Sequence, residues 1–184
     1  MGNRLIEAAI SGDLMKVRQL IAAGADPNFA NRLGVTALMV AAQWNRPEIV
    51  RLLLSKGADV DAQESSSGCN ALMFACLSGN PEVVRLVLEH GASVNARNID
   101  GRTALMTAAF CGSIELVKML LRHGADVEAT DRFGSTALTQ ASMAGHRDVV
   151  NLLMKRGADA KRHAVNLRKQ GSGVSPTQEG TNRR

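Results

Sequence analysis

Residues 98–131 read Asn98-Ile99-Asp100-Gly101-Arg102-Thr103-Ala104-Leu105-Met106-Thr107-Ala108-Ala109-Phe110-Cys111-Gly112-Ser113-Ile114-Glu115-Leu116-Val117-Lys118-Met119-Leu120-Leu121-Arg122-His123-Gly124-Ala125-Asp126-Val127-Glu128-Ala129-Thr130-Asp131. The opening Ile99-Asp100-Gly101-Arg102 is a turn signal. Thr103 is placed to cap a short helix by accepting a bond from the free amides of its first turn, and Gly112 to end that helix in a left-handed conformation. Apolar residues recur at helical spacing from Ile114 to Leu121 and predict a second helix over 114–123, stopped by Gly124. Both helices are shorter than the ~12 to 15 residues at which an isolated helix becomes marginal in water, so each needs neighbours to pack against.

The neighbours are encoded at a fixed period. The helix-ending glycine recurs as Gly24, Gly57, Gly91, Gly124 and Gly157, each followed by Ala and, except at Ser93, by Asp. The steps are 33, 34, 33 and 33 residues, and Leu5, Leu38, Leu72, Leu105 and Leu138 recur in phase in the first helix. A turn and two helices at a period of about 33 resemble the ankyrin repeat. The resemblance runs from about Asn3 to about Ala160. It implies an all-α ankyrin-repeat solenoid of five helix-turn-helix repeats (about 1–30, 31–63, 64–97, 98–130 and 131–160) with projecting β-hairpin-like fingers. It also implies a concave face that holds other proteins. A basic tail, 161–184, is expected to be disordered.

The copies differ in informative ways. The first repeat starts at its first helix, Leu5–Ser11, and puts Lys16 and Gln19 where later copies carry apolar residues, as a water-facing N-terminal cap should. In the second, Asn45 replaces the glycine that ends the first helix. The finger of the third, with Ser65-Ser66-Ser67, is one residue longer than its siblings, and Asn70 replaces the capping Thr; the expectation is a tolerated surface insertion, with a partner contact or a modified serine as the alternative. The fifth still shows Val149 and Leu152 to a missing neighbour, a face that residues 160–170 are expected to drape. Where ankyrin repeats typically carry Thr-Pro-Leu-His, this chain has Thr36-Ala37-Leu38-Met39 and Thr103-Ala104-Leu105-Met106. Met is not expected to replace the hydrogen bonds of His, which predicts softer coupling between repeats.

Charge and cysteines narrow the function. The net charge of +5 is carried by the tail, where Lys161, Arg162, Arg168, Lys169, Arg183 and Arg184 face Glu179 alone; residues 1–160 sum to zero. The folded part thus lacks the clustered cations that nucleic-acid binding relies on. No apolar run approaches the roughly 18 residues of a membrane span, and the N-terminus has neither a signal-peptide pattern nor, with Ile6, the acylation pattern. Three cysteines at repeat positions argue for free thiols in a reducing, cytoplasmic or nuclear setting. Cys76 and Cys111 are expected to be small core or near-core residues rather than nucleophiles. His90 and His123 occupy equivalent offsets about 10 Å apart, too far to share a zinc, and suit the C-terminal end of a helix. No catalytic motif is present, so neither an enzyme nor a cofactor is expected.

The functional signal is a column at the end of each first helix: Ile10 and Ser11, Gln43 and Trp44, Leu77 and Ser78, Phe110 and Cys111, Met143 and Ala144. The resemblance places these offsets on the concave groove, with the finger tips Leu33, Val35, Ile99, Arg102, Arg132 and Phe133 above them. Apolar, aromatic and Arg groups are the usual anchors of interfaces, so Gln43, Trp44, Leu77, Phe110, Met143 and the finger tips are the expected partner-binding residues; Leu77 and Met143 also suit inter-repeat core. Three classes compete: a monomeric non-catalytic adaptor for another protein, a regulatory or sensor subunit of an enzyme system using Arg32, Arg102 and Arg132, and a tether to nucleic acid or membrane through the tail.

Overall fold

The structure, a computed structural model, describes residues 1–157; the expected drape at 160–170 and the basic tail lie outside them. Helices alternate in two rows. The first helices of successive repeats are α1 (Gly2–Ser11), α3 (Ala37–Gln43), α5 (Ala71–Ser78), α7 (Ala104–Phe110) and α9 (Ala137–Met143). The second helices are α2 (Leu14–Ala22), α4 (Pro47–Ser55), α6 (Pro81–Glu89) and α8 (Ile114–Arg122), and residues 147–157 form a further helix, α10. α1, α3, α5, α7 and α9 pack side by side as an inner row, and α2, α4, α6 and α8 as an outer row. Between the rows runs one continuous core, from Leu5 through Leu38, Leu72 and Leu105 to Leu153. Fully buried Ala9, Ala41, Ala75 and Ala108 let the inner helices approach closely.

The caps follow the residues chosen for them. Thr36, Thr103 and Thr136 each accept the N–H three residues on, and Asn70 does the same for Met73 at 3.1 Å. Asn45 is the sole non-glycine residue at positive φ among those described, at 54°. Lys16 and Gln19 are exposed, whereas Ile49, Val83 and Leu116 at the Lys16 offset are buried, as a cap against water requires. α1 begins at Gly2, three residues before the expected start.

One expectation fails in the backbone, and one holds only in part in the caps. Gly124 ends α8 at a φ of 85°, and Gly24, Gly57 and Gly91 are likewise left-handed, but Gly157, the last described residue, is helical. At one of the three Met copies the sulfur does accept the capping N–H, Met39 from Thr36 at 3.5 Å, and Thr139 Oγ1 does so for Thr136 at 2.6 Å, whereas Met73 and Met106 make no such bond.

Repeats are also joined by polar clasps that the periodicity hides. Asn28 takes the Asp59 N–H on its side-chain oxygen (2.6 Å) and donates to the Gly57 carbonyl (3.0 Å); Asn95 repeats this with Asp126 and Gly124. At the same offset between them stands Asp61, which has no N–H to give. Its carboxylate accepts both the N–H (2.9 Å) and the hydroxyl of Ser93, the one position where Asp is missing from the Gly-Ala-Asp motif. An Asp there would have set two carboxylates against each other.

Candidate functional site

Each finger is a tight loop wound around one acceptor. Asn31 takes the N–H groups of Leu33 and Val35, Asn98 those of Asp100 and Arg102, and Asp131 those of Phe133 and Ser135, all at 2.9–3.1 Å. In the longer third finger the acceptor is Glu64, whose buried carboxylate receives the N–H groups of Ser66, Ser67 and Cys69 and both serine hydroxyls. Burial would raise this carboxyl, but the Ser66 and Ser67 bonds outweigh it and bring it from 4.5 to about 2. The lengthened finger, expected as a tolerated surface insertion, is ordered around this acceptor. Adjacent fingers are joined by Ser65 N–H to Leu33 O (2.8 Å), Ile99 N–H to Ser67 O (3.0 Å) and Arg132 N–H to Asp100 O (2.8 Å). Isolated antiparallel bridges, Ala30 with Thr36 and Gln63 with Asn70, close two of them.

Below the fingers the inner helices turn one face outward. On α5 that face carries Phe74 and Leu77 above the buried Met73, on α7 Thr107 and Phe110 above the buried Met106, the i, i+1, i+4 set of a helical stripe. With Cys69, Asn98 and Arg102 from the fingers and Gln140 from α9 they enclose a pocket of about 220 Å³. Leu77, at 55% exposure, and Met143, at 80%, are surface residues, so the inter-repeat core alternative is corrected for both. The buried members of their helices, Cys76 and Ala141, satisfy the core instead.

Of the expected partner-binding residues, Leu77, Phe110 and Arg102 meet at this pocket. Trp44 and Gln43 are exposed at the end of α3, and Leu33, Ile99 and Phe133 at the finger tips, outside it; Val35 is half-buried against the core. Arg132 pairs with Asp100 at 3.1 Å and lies over the Phe133 ring at 4.7 Å. Arg102 sits 3.8 Å from Asp131. Met73, Phe74, Met106, Thr107 and Gln140 went unnoticed in the sequence, although they stand three and four residues before the column positions and so share their face.

Cys76 and Cys111 are both held as thiols. Burial pushes Cys76 far up, aided by Cys111, and pushes Cys111 up as well, so both are protonated at neutral pH. Cys76 is buried as expected; Cys111 is exposed, because it follows the last turn of α7 and looks outward rather than between the rows. His90 and His123 each set Nδ1 against the carbonyl four residues earlier, at 2.8 and 2.9 Å, as befits a helix end. Among the described residues no three metal-ligating side chains converge, and no helix is long and apolar enough to cross a membrane.

A family model described as ankyrin repeats (3 copies) matches residues 5–98 and 93–164. The chain belongs to the ankyrin-repeat family. Segments of several proteins are similar to it: the human mitochondrial disaggregase is 47% identical over 55 residues, 30% of this chain and 8% of that one. The ankyrin repeat and KH domain-containing protein mask-1 of Caenorhabditis elegans is 45% identical over 67 residues, 36% of this chain and 2% of that one. Human protein phosphatase 1 regulatory subunit 27 is 43% identical over 58 residues, 32% of this chain and 38% of that one. The chain thus matches well under two thirds of each relative's length.

Proposed function

We propose that this chain is a non-catalytic adaptor that holds a partner protein along its concave face. What supports the reading is the row of exposed apolar residues on the inner helices, Ile10, Trp44, Leu77, Phe110 and Met143, continuing into a pocket. Contiguous apolar surface of that kind normally marks a binding site, because leaving it in water is unfavourable.

Replacing Trp44 and Phe110 with Ala together tests this. Capture of the partner from native extract should fall by about tenfold or more, as for hot-spot residues, with the far-UV circular dichroism unchanged. Unchanged capture, or loss of the helical signal, would defeat it. A second reading, a regulatory subunit that seats an enzyme in the same groove, is favoured by the likeness to the phosphatase 1 regulatory subunit. It predicts that the captured protein is an enzyme whose rate or specificity changes on binding.

A further inference from the structure

Resting on that reading, we propose that the pocket between the third and fourth repeats takes a bulky apolar side chain from an acidic segment of the partner, and that a partner carboxylate beside this anchor pairs with Arg102. Three observations carry it. The pocket, at about 220 Å³, is below the roughly 300–1,000 Å³ of sites that bury whole small molecules, and is walled by Met73, Phe74, Leu77, Met106 and Phe110, so it suits a single Leu, Met or Phe.

The fingers above it sort their charges by depth. The side chains of Arg102 and Arg132 are 48% and 60% exposed, while their partners Asp131 and Asp100 are 1% and 29% exposed. Glu64 is buried, and Arg32 on the neighbouring finger is exposed without an ion pair among the described residues. The finger face therefore presents cations to solvent and keeps its anions within, which favours a negatively charged partner.

Arg102 is also free to change partners. At 3.8 Å its contact with Asp131 is too long for a hydrogen bond, and Asp131 already holds the N–H groups of Phe133 and Ser135 and the Gln140 amide. Arg102 can turn to an incoming carboxylate without leaving Asp131 unpaired. Guanidinium geometry suits two-pronged binding of that group.

A phage-displayed library of random linear peptides, panned on the full chain, tests the proposal. The enriched pool should carry Leu, Met or Phe close to Asp or Glu. Such peptides should bind about tenfold more weakly to Phe110→Ser and to Arg102→Glu, the latter also reselecting Lys or Arg beside the anchor. Leu77→Ser and Arg102→Gln stand in should either variant misfold by circular dichroism. A pool lacking the acid, lacking the apolar anchor, or indifferent to the pocket variants overturns the proposal. Peptides indifferent to the pocket but lost on Trp44→Ala overturn it while sparing the groove; a pool with no enrichment overturns both.

Discussion

Glu64 carries one methylene more than Asn31, Asn98 and Asp131 at the same offset, and its finger carries one residue more than theirs. The longer acid reaches across the longer loop. Its carboxyl is depressed from 4.5 to about 2, so the stability it adds is complete above about pH 4.5 and lost as the pH falls towards 2. That increment is on the order of 1–3 kcal/mol. Urea midpoints between pH 7 and pH 2 should fall for the native chain, and Glu64→Gln should remove that part of the fall attributable to this finger. Glu64→Asp should leave the loop N–H groups short of an acceptor and cost about 1–2 kcal/mol at neutral pH. At the clasp, Ser93→Asp should destabilise by about 1–3 kcal/mol by facing Asp61 with a like charge. Adding Asp61→Asn should recover most of it, and a double-mutant cycle measures the coupling.

Among elements, the inner helices decide stability and the caps decide where they end. Leu105 is 1% exposed in α7, with inner-row helices on both sides, and Leu105→Ala should cost roughly 2 to 5 kcal/mol in denaturant unfolding. Asn45 is left-handed at the end of α3 and its side-chain oxygen takes the Asn80 amide. Asn45→Ala should therefore cost on the order of 1–2 kcal/mol, read from the same unfolding curves. Helix positions and caps were legible because Thr103, Gly112 and Gly124 encode them locally. Gly157 carries the same local motif and yet is helical, so the glycine alone does not dictate the left-handed conformation. The pocket was half legible: Leu77 and Phe110 were marked by exposure-prone apolar character, whereas Met73 and Met106 carry the same character at a position that elsewhere in the family holds His. Gln140 and Asn98 reach the pocket only through the register of neighbouring repeats, a distance no local pattern expresses.

Across the whole molecule, each repeat touches only its neighbours, so stability is close to a sum of repeats and interfaces. The N-terminal pair α1 and α2 has one interface where α5 and α6 have two. Amide exchange should accordingly open α1 and α2 before the centre, and Leu105→Ala should loosen the middle without equal loss at the start. The clasps add a constraint that periodicity alone does not suggest. Asn28 and Asn95 accept an Asp from the following unit, while Asp61 tolerates only Ser93. The bricks are consequently not interchangeable: an internal deletion that spliced Asp61 onto the unit bearing Asp126 would seat two anions together at the new junction, so shuffling or shortening this array requires the clasp residues to be exchanged in matched pairs.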